Sequence, residues 1–338
     1  MTTPTHTPTS KVRFGVLGAA SIAPSALLEP VRRHPHAEVV CVAARDRRRA
    51  EAFAQEQGIA RIHDSYQHVV DDPDVDAVYV PLPNGLHGLW AMRALGAGKH
   101  VLCEKPFAAN ADEAALMVDR AREAGLVLME AFHYAYHPLT RRWLELVRGG
   151  LLGSLRDAEA SFCTSIPSHD VRYRFDLAGG ALMDLGCYCI HALRSLSWRK
   201  PTVIRAEAQQ GPPGVDRALR ATLDFEGDLR AELVCDMGRA EGFAANLRIV
   251  GAQGTLEVHN PFVPHLGHRL RLTTATGQHL DEQLSCTPSY DYQLLAFMDA
   301  IRSGCAPPTG GADAVSNLQA IDQIYVAAGL VRRQPCPT

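Results

Sequence analysis

From residue 12 to about 131, short apolar runs alternate with segments whose apolar residues recur at helical spacing. The runs at 12–17 (VRFGVL), 38–44 (EVVCVAA), 76–80 (DAVYV), 100–103 (HVLC) and 126–131 (LVLMEA) have the length and β-branched content of buried strands. After the first of them, Ile22, Ala26, Leu27 and Val31 mark one face of a helix. Ala50, Phe53 and Ala54 mark a second helix, which Asp46 can cap and Gly58 can end. A third carries Leu86, Leu89, Trp90, Ala94 and Leu95 and closes at Gly98. This alternation predicts a doubly wound parallel sheet, which binds ligands at the carboxyl ends of its strands.

Beyond residue 132 the pattern changes. Pro138 predicts a helix over 137–148, and Gly149 and Gly150 lead into an alternating strand at 155–166. A helix at 181–198 follows, then strands at 203–209, 219–225, 229–236 and 247–258, broken by turns at 226–227 and 251–254. Helices at 290–303 and 312–330 close the chain. The fold class is therefore α/β, with a parallel N-terminal sheet and a second α+β domain built on a large, mainly antiparallel open sheet. The division is a tail at 1–10, a first domain at 11–132 and a second domain at 133–338.

Composition narrows the function. At 338 residues two domains are expected, and 46% hydrophobic with 21% charged residues suits a soluble globular protein. A net charge of −3 offers no basic field for nucleic acid or an anionic membrane. No run approaches the roughly 20 apolar residues of a membrane helix. The Thr/Pro-rich start lacks the apolar core of a signal peptide, so a cytoplasmic protein is expected. Nine cysteines, an odd number without a CxxC pair, read as reduced thiols rather than zinc ligands or a disulfide framework. His133 and His137 are four apart, but Pro138 places a helix start there, so no metal site is expected.

Chemistry appears first at GAASIA (18–23), directly after the first strand. Gly18 permits a tight turn, Ala20 lets backbone approach a pyrophosphate, and Ala23 permits close helix–strand packing, with Ser21 and Ile22 between them. The second strand ends at Ala44 and Arg45, where an NAD site places a carboxylate for the ribose 2′-hydroxyl. Its absence, and an Arg able to grip a 2′-phosphate, favour NADP over NAD. Asp46 reads as a helix cap, and Arg47, Arg48 and Arg49 as a solvated face with one of them free to help. HVLCEKPF at 100–107 then sets Glu104 and Lys105 at the end of a buried strand, where a charged pair is costly to place. An ordinary surface pair is the alternative.

Taken in order, these pieces resemble the Gfo/Idh/MocA family (glucose–fructose oxidoreductase, inositol dehydrogenase and relatives). The matches are the GxAxxA turn, PLPNGLH (81–87), EKP (104–106), MEAFHYAYHP (129–138), GGALMDLGCY (179–188) and SYDYQLLAF (289–297). The resemblance implies a Rossmann domain followed by an open-sheet domain that pairs with a copy of itself, as a homodimer or homotetramer. It also implies that Lys105 lies beside the nicotinamide ahead of a cis Pro106. Leu82, Asn84, His87 and Glu104 would line the cofactor, Asn84 and His87 on the nicotinamide-ribose side. Many members carry DxGxH; this chain reads DLGCY, so Tyr188 takes the proton-transfer place. That is similar to the subgroup containing dihydrodiol dehydrogenase, NADP-linked xylose dehydrogenase, glucose–fructose oxidoreductase and sugar ketoreductases.

The implied activity is hydride transfer on a sugar or sugar-like polyol, with Tyr188 as acid/base and Lys105 lowering its pKa. Lys105 as proton carrier is the reverse assignment. Asp184, Tyr188 and His191 fall on one helical face and could meet the substrate together, although His191 could equally be packed in the core. His133 can point into the pocket. Arg172, Tyr173 and Arg174 either bind substrate or are surface groups. Two competing functions are a non-catalytic NADP-binding regulator and a redox-neutral, NAD-assisted glycosidase on the same fold.

Overall fold

The computed structural model describes residues 11–197, 199–239 and 242–337. The expected tail at 1–10 and the last residue of the expected 181–198 helix lie outside the described residues.

Six strands form the first sheet: β1 Val12–Leu17, β2 Ala37–Ala43, β3 Arg61–His63, β4 Ala77–Val80, β5 His100–Cys103 and β6 Leu128–Glu130. Their order is β3-β2-β1-β4-β5-β6 and all pair in parallel. The order reverses between β1 and β4, so the carboxyl ends of those strands open onto a crevice. β4 is buried along its whole length, which is why it reads as a continuous apolar run. β3 escapes sequence reading because its three residues, Arg-Ile-His, are half-buried and carry no apolar run. Asp46 caps helix Arg47–Gln57 as expected, accepting the N–H groups of Arg48 and Arg49 at 2.8 and 3.3 Å. Pro138 likewise begins helix Pro138–Arg148, with His137 as its N-cap.

The second sheet has eight strands: β7 Leu155–Cys163, β8 Thr202–Gln210, β9 Asp216–Phe225, β10 Leu229–Asp236, β11 Ala244–Gly251, β12 Gly254–His259, β13 Arg269–Thr274 and β14 His279–Glu282. Their order is β14-β13-β12-β11-β7-β10-β9-β8, antiparallel except where β7 meets β10. The expected 247–258 strand is a hairpin, and β13 and β14 were not anticipated. On the inner face Ala160, Leu247, Leu256 and Leu270 are buried. The outer face carries an in-register row of charge, Glu232, Glu159, Arg248, Glu257, Arg271 and Asp281, crossing six strands.

The chain then returns to the first sheet. Tyr290, Leu294, Phe297 and Met298 of helix Ser289–Ser303 join the core formed by Phe14, Tyr79, Leu102 and Met129, and Phe14 meets Phe297 at 5.9 Å between ring centroids. This return sets Ser289 and Tyr290 beside the crevice. Among the described residues no helix is long and apolar enough to cross a membrane.

Candidate active site

Gly18 leaves β1 with φ +104°, a conformation L side chains rarely adopt, and its N–H donates to the Ala43 carbonyl at 2.7 Å. A Cβ there would lie 3.2 Å from Leu82 Cδ2 and 3.8 Å from Tyr66 Oη, so those two side chains crowd the turn. Ala20 and Ile22 are half-buried, Ser21 is exposed, and Ala23 is sealed in the core. The helix that follows starts as a wide π-turn, Pro24–Leu28, and continues as Glu29–Arg33. Arg45 stands exposed at the end of β2, and its guanidinium makes no hydrogen bond or ion pair among the described residues. Arg47 is held by Glu51 and Asp64, whereas Arg49 reaches back to the Ala19 carbonyl at 3.3 Å. A tight turn with room for backbone approach, flanked by an unpaired guanidinium, fits a dinucleotide bearing an extra phosphate.

The PLPNGLH turn works differently from the expectation. His87 is fully buried, with Nδ1 2.7 Å from the Pro106 carbonyl and Nε2 2.7 Å from that of Leu82. Burial lowers its pKa, although both carbonyls oppose the shift. A neutral imidazole carries one N–H, so it donates to one of these carbonyls and packs against the other, holding the loop behind Lys105 from a buried position instead of facing a ribose. Asn84 donates to the Ala178 carbonyl at 3.0 Å, tying the turn to the segment before the DLGCY helix.

At the end of β5, Glu104 is buried and accepts the Tyr79 hydroxyl at 2.7 Å; burial raises its pKa. The Lys105–Pro106 bond is cis, as the resemblance implied. Phe107 N–H donates to Glu130 Oε1 at 2.9 Å, while Glu130 Oε2 is buried without a partner. Desolvation, reinforced by Asp313, pushes the Glu130 carboxyl well above the usual carboxylate range.

Lys105 Nζ lies 2.8 Å from Asp184 Oδ1 and 2.9 Å from the Asp184 carbonyl. The other carboxylate oxygen, Oδ2, is 3.0 Å from Arg172 Nε, and Arg172 is itself braced by Asp170 at 3.0 Å. Burial would raise the Asp184 pKa, but the two cations overcome it and bring the group to about 2. Burial likewise opposes charge on Lys105, and Asp184 outweighs it, so the ammonium stays protonated. Lys105 is thus held as a cation against Asp184.

Tyr188 corrects a further expectation. The Lys105 ammonium sits over its ring, 5.0 Å from the centroid, and makes its bonds to Asp184. Burial, aided by Tyr290 and Glu104, holds the phenol well above its ordinary pKa rather than below it. Its hydroxyl lies 3.4 Å from His133 Nε2. His133 is thus beside the phenol, with Tyr290 packed on it at 4.2 Å and Phe162 and Phe262 against Tyr188 at 5.4 and 5.5 Å.

His191 does not join Asp184 and Tyr188. Residues Leu182–Gly186 form a π-turn before helix Cys187–Ser197, which takes Asp184 out of the 3.6-residue phase shared by Tyr188 and His191. His191 instead stacks on Phe132 at 4.6 Å, with Nδ1 2.5 Å from Tyr134 Oη and Nε2 3.3 Å from Asp313. Arg172 comes to the site through Asp184, while Tyr173 bonds the Met237 carbonyl and Arg174 pairs with Asp176. Sequence reasoning assigned no role to Glu130, His265, Ser289 or Tyr290, although two of these lie inside the SYDYQLLAF match.

All nine cysteines are free. Cys41, His63 and Asp72 bring donor atoms within 4.8 Å of one another, but Arg61 at 3.0 Å and His63 at 2.9 Å already satisfy the carboxylate.

Comparison with known proteins agrees with this arrangement. Residues 12–132 match the family model for the oxidoreductase family with an NAD-binding Rossmann fold, and residues 140–257 match the GFO/IDH/MocA C-terminal domain. The chain belongs to the Gfo/Idh/MocA family. It is 36% identical over 318 residues to a D-xylose 1-dehydrogenase (NADP(+)) of Haloferax volcanii, covering 93% of this chain and 97% of that one. It is also 36% identical to a dTDP-3,4-didehydro-2,6-dideoxy-alpha-D-glucose 3-reductase of Streptomyces violaceoruber, over 97% and 98% of the two chains. Among solved structures, a 3-ketoreductase from Actinomadura kijaniata in complex with NADP and TDP-benzene superposes with a TM-score of 0.86 at 29% identity, covering 94% of this chain and 98% of that one.

Proposed function

We propose that the protein is an NADP-dependent oxidoreductase that transfers a hydride between the nicotinamide and a hydroxyl or carbonyl carbon of a sugar or sugar-like polyol. The observation that carries the reading is Lys105, held cationic by Asp184 and laid across the face of a buried Tyr188. A substrate oxygen entering beside these groups meets a fixed positive charge and a phenolic proton. Lys105 stabilises charge developing on that oxygen. Tyr188, kept protonated by burial, donates its proton in carbonyl reduction; in alcohol oxidation the same oxygen must accept one. Arg172 keeps Asp184 aimed at Lys105, and so positions the cation indirectly. His87 and Glu130 fix the loop through Pro106 and Phe107. Arg45, with Arg49 at the turn, would hold the 2′-phosphate, and Gly18, Ala20, Ser21, Ile22 and Ala23 the pyrophosphate.

The similar relatives named for xylose and for a dTDP-linked keto-sugar support a sugar-like substrate. The protein pairs with a copy of itself through the outer face of the eight-stranded sheet. That face carries interspersed acidic and Arg side chains, so such pairing would be held by self-complementary charge and would weaken with salt.

The test is absorbance at the reduced-nicotinamide band. NADP⁺ or NAD⁺ is supplied with aldoses, polyols and dihydrodiols, and NADPH with keto-sugars. Turnover that prefers NADP and is abolished by Lys105→Ala and Tyr188→Phe supports the reading. Tight NADP binding without turnover in either direction overturns it in favour of a regulator or a redox-neutral lyase.

A further inference from the structure

Tyr188 is buried, so each turnover that takes or gives its proton must be followed by exchange with water. We propose that His133, Ser289 and His265 form a proton relay linking the Tyr188 hydroxyl to solvent. The inference rests on the reading above, in which Tyr188 exchanges a proton with substrate.

The geometry is continuous. Tyr188 Oη lies 3.4 Å from His133 Nε2; His133 Nδ1 lies 2.9 Å from Ser289 Oγ; and Ser289 Oγ lies 3.0 Å from His265 Nδ1. Three separate segments supply the links: His133–Tyr136 after β6, the first residue of helix Ser289–Ser303, and the single turn Pro264–Leu266 between β12 and β13. His133 and Ser289 are buried, whereas His265 is half-exposed beside the 73%-exposed Leu266. Among the described residues His265 Nε2 has no protein partner, and it is not among the buried unpaired atoms, so it opens to water. Tyr290 packs on both rings, 4.2 Å from His133 and 5.6 Å from His265, and holds the two imidazoles in place.

The chemistry of each link fits. Burial and the neighbouring His265, Lys105 and His137 keep His133 neutral, so one ring nitrogen donates while the other accepts. When Tyr188 has given up its proton, the phenolate takes the hydrogen on His133 Nε2. His133 Nδ1 then takes the Ser289 hydroxyl hydrogen, and Ser289 Oγ takes the hydrogen on His265 Nδ1. His265 Nε2 gains one from water. One proton enters, one reaches Tyr188, and every relay group ends neutral with its hydrogen on the opposite side. Alcohol oxidation runs the chain in reverse.

The test has two arms on the full-length protein. In the first, ¹⁵N-histidine NMR reads ring tautomers without substrate. Tyr188→Phe and Ser289→Ala should each shift the His133 nitrogen signals, and Tyr134→Phe should shift those of His191 instead. His133 signals that neither substitution moves would overturn the relay. In the second arm, His265→Gln, at a half-exposed position, should lower kcat about tenfold in dilute buffer with KM unchanged. Added imidazole should restore kcat in proportion to its concentration, which a merely structural role does not permit. Unchanged kcat, or a loss that imidazole leaves in place, contradicts the proposal. A wild-type protein that turns over no sugar counts against the proposed function, and the NMR arm then decides the relay alone.

Discussion

Two Tyr–His contacts are built from the same pair of segments and serve different ends. His133 and Tyr134 are neighbours in sequence; Tyr188 and His191 sit three residues apart on one helix. His133 reaches Tyr188 at 3.4 Å, and Tyr134 reaches His191 at 2.5 Å. Beyond the first contact lie Lys105 and Asp184 on one side and a path through Ser289 to half-exposed His265 on the other. Beyond the second lie Asp313 and Arg194, 3.0 Å apart, with Phe132 stacked on the imidazole and Tyr134 fully buried. The first contact joins a substrate-side charge to water, and the second ends in the Asp313–Arg194 ion pair, which holds the imidazole in place. The pairing itself is the same in both; what lies past each partner separates chemistry from packing.

The largest expected effect comes from removing the charge that only the first contact has. Lys105→Ala should lower kcat by about 10³ or more, read as initial rates at saturating NADP, with NADP binding nearly unchanged. Next, Tyr188→Phe should cost about 10² to 10⁴ in kcat and little in stability. Tyr134→Phe should do the opposite, keeping activity while losing about 1–3 kcal/mol in urea melts because His191 Nδ1 is left unpaired in the core. Equal losses of activity from both would erase the contrast.

Smaller effects should appear with pH. Because burial holds Tyr188 protonated, carbonyl reduction should be flat through neutral pH, and alcohol oxidation should rise as pH increases. Asp184 is held at about 2, below its ordinary 3.8. A depressed folded pKa adds stability that is complete above the unfolded value and fades as pH falls through the folded one. Thermal melts of the wild type should therefore fall faster than those of Asp184→Asn between about pH 4 and pH 2. Parallel slopes would show that Lys105 and Arg172 do not hold the carboxylate.

Much of this was legible where local chemistry decides the structure. Strands β1, β5 and β10 begin and end where the apolar pattern places them, and Asp46 and Pro138 open their helices as expected. Short or edge elements were not legible: β3 has three residues, and β14 ends the second sheet with half-exposed alternation. In the site, EKP marked Lys105 because a charged pair at the end of a buried strand is costly, whereas Asp184 and Tyr188 were marked only by the resemblance of DLGCY to the family's pattern. His191 was misplaced because Phe132, Tyr134 and Asp313 close around it, and a π-turn takes Asp184 out of its phase; residue identity announces neither. The partners of His133 were hidden for a different reason. Ser289 lies 156 residues away in sequence, and only the return of the last helices to the first sheet brings it there.

The central claim is that Tyr188, beside the Lys105 cation, moves the proton in an NADP-linked sugar oxidoreduction. Its most direct test is the rate of NADP-linked turnover by wild type and Tyr188→Phe at equal NADP saturation. The account predicts turnover by the wild type with NADP preferred to NAD, and a loss of at least about 10² in kcat for the variant with its NADP affinity retained. Wild-type kcat in the Tyr188→Phe protein would contradict it.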